Sequence, residues 1–459
     1  MSTTSPNSGV SPRPASRQIE VVAVTDDLMG RLTLPRADRP LEAALHEADQ
    51  RARDTASSVL DAAFPSLPIR RSAQCSDANT LVVGSASPQL LKVLDARTLL
   101  DRTLSRNTFQ PGAHIRIVRD KVTRPLDDIV QFRPGGYPDG HFRLRAAPLA
   151  AALDDGFTIV LDGIDLRDPV STAVAGLFER VFGCSVNINA YLSSRVDPSF
   201  GAHWDDQEVV ILQLLGRKDW TIEQPAELSM HKVAHGEATS GQTAWHGRIG
   251  PGDALYVPRG WGHTVNGIGE LTYHYTITIP RVNGLQVLEG VLGHPLTSRT
   301  LSNAEPLSRL THSAHHDPEE LDHLLSELKL PIGPAIVDDL VRRTLARARF
   351  GIARRSNGSV KANLDALLSS DLTQTFVRSV NPGGWVVAVE STGDPDRVIV
   401  GTAGQLASVP HQHLSTLASL ADGRVHNGGS APLGLVHDLL RIGFLEVVTN
   451  PQAWGLTLA

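Results

Sequence analysis

The strongest constraint on this chain is the stretch from Gly201 to Trp220, GAHWDDQEVVILQLLGRKDW. Its apolar, β-branched centre reads as a buried strand, and Gly216 marks the turn into the next one. His203 and Asp205 stand two residues apart at its head. In an extended chain residues i and i+2 project from the same face, so the imidazole and the carboxylate can converge on one point. Asp206 points the other way. A second histidine, His263, closes PGDALYVPRGWGH, with 57 residues between it and Asp205. Pro251, Gly252 and Asp253 read as a tight turn before a strand, and Pro258 and Gly260 as the turn that presents His263. Two imidazoles and one carboxylate carried on β-structure point to a facial triad for non-haem Fe(II), with three coordination positions left open. An H-x-D tripeptide alone is weak, because His203 and Asp205 can simply pair electrostatically on a strand. The ordered set of strand, H-x-D, strand, turn, long insert and PGDxLYVPxGxxH favours the metal.

The surroundings are built to hold such a site. Residues 157–161 (FTIVL) and 186–192 (VNINAYL) read as strands, the second placing Asn187, Asn189 and Tyr191 on one face. Residues 250–257 and 272–279 (TYHYTITI) are strands as well, and 168–182 is an amphipathic helix. Short strands separated by turns argue for a barrel or jelly roll rather than an open α/β sheet. Before them, 41–63, 88–104 and 148–155 have helical spacing, and 80–83 and 114–118 (HIRIV) read as strands. After Pro280, helices are expected at 285–296, 317–328, 334–350, 364–377, 413–421 and 432–442. Strands are expected at 384–390, 396–400 and 444–448.

Length and charge exclude several classes. A chain of 459 residues exceeds one ordinary core and implies two or three domains. A net charge of −6 argues against a protein-wide nucleic-acid footprint, and residues 331–459 carry 11 Lys and Arg against 10 Asp and Glu. No apolar run reaches the ~20 residues that span a bilayer, so no membrane partner is expected. Residues 1–18 are rich in Ser, Pro and Thr and read as a disordered tail rather than a signal peptide. The two cysteines, Cys75 and Cys184, leave no disulfide framework and suit a reducing, cytoplasmic setting.

The motifs NAYLSS, AHWDDQEVVILQLLGRKDW, PGDALYVPRGWGH and TYHYTIT together resemble the JmjC-type oxygenases of the cupin-4 or ribosomal-oxygenase group. The resemblance covers roughly residues 156–280 and implies an α+β protein with a double-stranded β-helix (jelly-roll, cupin) core. It implies a helical dimerisation region and a C-terminal winged-helix-like domain in the flanks. The domain division expected on this basis is tail 1–18, N-terminal flank 19–144, catalytic core 145–282, helical region 283–355 and winged-helix-like domain 356–459.

By position, His203, Asp205 and His263 resemble the iron ligands. Lys218 lies where the family places the lysine that pairs with the distal carboxylate of 2-oxoglutarate. Asn189 and Tyr191 match a strand that lines the cosubstrate pocket, Thr272 a hydroxyl near that carboxylate, and His274 follows on the same face. The implied activity is a dioxygenase using Fe(II), 2-oxoglutarate and O2 to hydroxylate a protein or peptide side chain, with ribosomal protein as one substrate class and a homodimer as the assembly. Two alternatives come from other classes: a cupin-like metal-binding regulatory protein without turnover, and an RNA-modifying oxygenase. The remaining histidines read as exposed: His231 and His235 in a polar loop, and His312, His315 and His316 at a helix start. The arginines between Arg342 and Arg355 read as a solvated helix face.

Overall fold

The computed structural model describes residues 19–67, 80–105, 114–133, 141–194, 196, 200–225, 240–280, 334–351, 360–381, 384–388 and 394–449. The tail 1–18, the expected helices at 285–296 and 317–328, Cys75, and His231, His235, His312, His315 and His316 lie outside them.

Eight strands between 187 and 279 make two sheets that close on each other. Asp253–Val257, Glu208–Leu215, Thr272–Ile279 and Asn187–Ser193 are neighbours in that order in one sheet. His203–Trp204, Gly262–Gly267, Lys218–Glu223 and Thr243–Ile249 form the other. All pairings are antiparallel, and the connectivity is that of a double-stranded β-helix. Val209, Ile211, Leu255 and Val257 of the first sheet pack against Trp220, Ile222 and Ile249 of the second. Each fully buried aliphatic side chain there contributes about 1.5–3 kcal/mol relative to exposure. The turn between Leu215 and Lys218 depends on Gly216, whose φ of +64° is left-handed and whose missing Cβ would lie 2.2 Å from the Leu271 carbonyl oxygen.

The first sheet is widened to eight strands by Val82–Ser85 at one edge and by Thr158–Leu161, Ile115–Arg119 and Val122–Thr123 at the other. Its outer face carries the largest core, which includes Phe178, Ile188, Tyr273 and Tyr275. The helix Pro169–Phe182 covers it. Asp168 caps that helix by accepting from the Ser171 N–H at 2.9 Å, Pro169 opens it, and Gly183 at φ +67° closes it. The longer helix Pro40–Ala63 packs alongside, and Phe64 just beyond it meets Phe178 edge-to-face at 5.9 Å.

A third sheet joins the two ends of the described chain. Glu20–Val22 and Leu32–Thr33 flank Gln405–Pro410, Arg397–Thr402 and Val386–Ala388 in the order 20–22, 405–410, 397–402, 386–388, 32–33. The Ile19 N–H donates to Asp438 Oδ2 at 3.1 Å, in the helix Leu433–Ile442. The N-terminal flank therefore contributes to the first sheet and to this third one, and within it Val130–Arg133 and His141–Leu144 pair as a separate two-stranded sheet.

Three local expectations are corrected. Residues 88–104 form two helices, Pro88–Val93 and Ala96–Ser105, because Asp95 accepts from the Thr98 N–H at 2.8 Å and starts the second. Residues 364–377 are not one helix. Val360–Leu368 ends where Asp371 accepts from the Thr373 N–H and hydroxyl, at 2.8 and 3.0 Å, and Phe376–Ser379 is a strand. On the helix Pro334–Phe350, Arg342 and Arg343 do pair along their own helix with Asp338 and Asp339, but Arg349 is buried at 5% side-chain exposure on Asp49, 2.8 Å away. That helix buries Leu340, Ala346 and Phe350 inside its own chain.

Candidate metal centre and cavity

His203 and His263 are direct partners across the short antiparallel pair His203–Trp204 with Gly262–Gly267. Their ring centroids lie 4.3 Å apart. Asp205 follows His203 beyond the strand end, and its Oδ2 lies 3.8 Å from His263 Nε2. One donor atom from each of the three side chains falls within 4.8 Å of the other two, so the set can hold one metal ion. Among the described residues no other His, Cys, Asp or Glu cluster does so.

The ligand atoms are preset by the backbone. His203 Nδ1 lies 3.1 Å from the Gly201 carbonyl, which fixes the ring with Nε2 free to bind. His263 Nδ1 faces the Trp261 carbonyl at 3.4 Å in the same way. Burial, then the neighbouring His203, pull the His263 pKa down to about 4 despite the Asp205 carboxylate, so the ring is the neutral form that binds metals. The two ligand-bearing loops are joined by the Gly260 N–H donating to the Asp205 carbonyl at 2.9 Å.

These residues open into a cavity of about 580 Å³ bounded by both sheets. Its wall includes Asn189, Tyr191, Ser193, Lys218, Trp220, His274 and Thr276. Lys218 is 5% exposed, and burial alone pushes its ammonium down to about 7. Among the described residues no carboxylate pairs with it. His274 stacks on Tyr191 with centroids 4.9 Å apart and planes at 4°, and meets Trp220 edge-on at 5.9 Å. Burial and then the Lys218 charge hold His274 well below the usual imidazole range. Burial raises the Tyr191 phenol to about 12. The wall thus combines a stack of aromatic rings with a buried ammonium that no carboxylate among the described residues offsets.

Seven of the eight residues singled out from the sequence line this cavity: His203, Asp205, His263, Lys218, Asn189, Tyr191 and His274. Asn189 is partly committed, because its Oδ1 accepts from the Gly163 N–H at 2.9 Å. Thr272 is not brought in. It is fully buried, and its hydroxyl donates to the Ser193 carbonyl at 3.1 Å and lies 2.9 Å from the Ser193 hydroxyl. Arg116 was missed. It lines the cavity while its guanidinium grips Asp162 through two bonds of 2.6 and 2.7 Å. The alternation of HIRIV holds the signal, since Ile115 and Ile117 are buried and Arg116 and Val118 face the cavity.

Residues 170–286 match the JmjC domain family. Over that stretch the chain is similar to the family. Relatives of the chain include the bifunctional lysine-specific demethylase and histidyl-hydroxylase NO66 of Brugia malayi, 30% identical over 27% of this chain and 18% of the relative. The protein of the same name from Aedes aegypti is 26% identical over 57% of this chain and 42% of the relative. The matches thus span less than half the length of these relatives. Among solved structures, YcfD, a ribosomal oxygenase from Escherichia coli in complex with cobalt and 2-oxoglutarate, aligns with a TM-score of 0.44 at 15% identity, over 80% of this chain and 94% of that one. The matched stretch contains all three candidate ligands and Lys218, but the cavity also takes Arg116, Lys121 and Thr158 from outside it.

Proposed function

We propose that the chain is an Fe(II)- and 2-oxoglutarate-dependent dioxygenase that hydroxylates a side chain of a protein or peptide. The observation that carries this reading is the pairing, in one cavity, of a two-His, one-carboxylate donor set with a buried ammonium that no carboxylate among the described residues pairs with. The donor set suits non-haem iron, and the buried Lys218 suits the distal carboxylate of a dicarboxylate. Bound there, iron with 2-oxoglutarate supplies the means of reducing O2 and oxidising a C–H bond.

The residues of the chain do the rest. Gly201 and Trp261 orient the two imidazoles, and burial keeps His263 neutral. Lys218 fixes the far end of the cosubstrate, and the stack of Tyr191 on His274, backed by Trp220, holds that end rigid and excludes water. A protein substrate is supported by the names of the relatives, both of whose activities act on protein side chains, and a ribosomal one by the YcfD description. The reading is tested by succinate formation on adding Fe(II) and 2-oxoglutarate, and by a one-oxygen mass gain on a cellular protein that disappears with His203→Ala. Metal-bound protein that forms no succinate would instead be the regulatory, non-turning-over alternative.

We also propose that the chain works in the cytoplasm as a homodimer with a winged-helix-like module after residue 356. The module is supported by the helices Val360–Leu368, Leu414–Leu420 and Leu433–Ile442 around a three-stranded sheet of Phe376–Ser379, His426–Asn427 and Leu445–Val447. Light scattering at micromolar concentration tests the dimer. No helix among the described residues is long and apolar enough to cross a membrane.

A further inference from the structure

Asp206 follows the candidate ligand Asp205 but turns away from the site. It meets Arg259, which lies in the turn leading to His263. Arg259 Nε donates to Asp206 Oδ1 at 2.6 Å, and its Nη2 reaches the same oxygen. The two loops that carry the ligands are also joined by the Gly260-to-Asp205 hydrogen bond and by a two-residue strand, His203–Trp204, too short to hold its register unaided. Neither Asp206 nor Arg259 is among the residues that can hold the ion.

We propose that the Asp206–Arg259 ion pair is a positioning strap that sets the spacing between the Asp205 carboxylate and the His263 imidazole, and so tunes metal affinity. This rests on the metal-site reading above. The pair acts through geometry rather than through bulk stability. About 30% of each side chain is exposed, and an ion pair so placed contributes little to the folding free energy. By holding the Asp206 side chain, Arg259 restrains the backbone that Asp206 shares with Asp205, and Arg259 itself sits only four residues before His263. Groups that orient metal ligands in this indirect way typically change affinity by about 10–100-fold when removed.

The test is a double-mutant cycle on the full chain, stripped of metal by chelation, with Co(II) alone as the titrant. Asp206→Ala and Arg259→Ala should each weaken Co(II) binding about tenfold, and the double variant should bind no worse than either single variant. The melting temperatures of the metal-free proteins should agree within about 2 °C. Unchanged Co(II) affinity in the single variants overturns the strap, as do losses that add in the double variant. A fall in metal-free melting temperature with Co(II) affinity retained also overturns it, because the pair is then only structural. If the wild-type protein binds no Co(II), or His203→Ala binds it equally well, the metal site and the strap fall together. Failure of the strap alone leaves wild-type binding intact.

Discussion

His203 and His263 face each other across an antiparallel strand pair with their imidazole centroids 4.3 Å apart, although 59 residues separate them in the chain. Their closeness is therefore a product of the β-helix rather than of local sequence. Removing any one of His203, Asp205 or His263 should abolish tight metal binding while leaving the fold. In the wild type, Co(II) at 100 times its Kd should add about 2.7 kcal/mol of stability. Asp205→Ala should show none of that gain in a thermal melt.

Lys218 makes cosubstrate binding pH-dependent. Burial holds its free-state pKa at about 7, far below the 10.5 of an exposed lysine, and a bound carboxylate raises it again. Binding therefore takes up a proton between the two pKa values. Affinity for 2-oxoglutarate should be level below about pH 7 and fall by up to about tenfold per unit above it. Calorimetry in buffers of different ionisation enthalpy should register the proton uptake. Lys218→Met should weaken binding about 10–100-fold, as expected for a charged hydrogen bond worth about 1.5–3 kcal/mol, and should remove the pH slope. The metal-free variant should be as stable as the wild type or more so, because a buried uncompensated charge is gone.

His274 should make the ligand-free protein acid-labile. Its folded pKa lies well below 6.5, so below pH 6.5 the unfolded chain takes a proton that the folded chain does not. The stability present above pH 6.5 is lost progressively as pH falls. Denaturant midpoints at pH 7.5 and 5.5 should differ less in His274→Leu than in the wild type. Part of the slope should remain, since His263 is lowered to about 4 by the same burial.

Gly216→Ala should destabilise the core without touching the site directly. The residue sits at φ +64°, and the added Cβ would meet the Leu271 carbonyl oxygen at 2.2 Å, a backbone atom that cannot swing aside. A loss of about 2 kcal/mol or more is expected from the strain, read as a lower denaturant midpoint.

Much of the site was legible because its signals are local. The i, i+2 spacing of His203 and Asp205 and the alternation of residues 272–279 need no partner to be read. Burial of Lys218 was legible only through the family resemblance, since a lysine after Gly-Arg reads as an exposed turn. Thr272 lies on the expected face, yet a hydrogen bond to Ser193 on the neighbouring strand removes its hydroxyl from the cavity. Arg116 was hidden for the opposite reason: its pattern is plain, but its use depends on Asp162 forty-six residues later. The strands Glu20–Val22 and Leu32–Thr33 are three and two residues long and owe their existence to partners beyond residue 385. No local periodicity can announce elements that short.

Those two small strands have a consequence for how the molecule is made. During synthesis they emerge early and must wait for roughly 350 further residues before their partners at 386–388 and 405–410 leave the ribosome. Loops of that length close slowly, so this sheet is expected to be the last part to assemble. A truncation beginning at residue 34 would leave both of its outer edges unpaired, inviting other chains to add to them. Such a truncated protein should collect in aggregates even though every candidate ligand and all eight strands of the β-helix are retained.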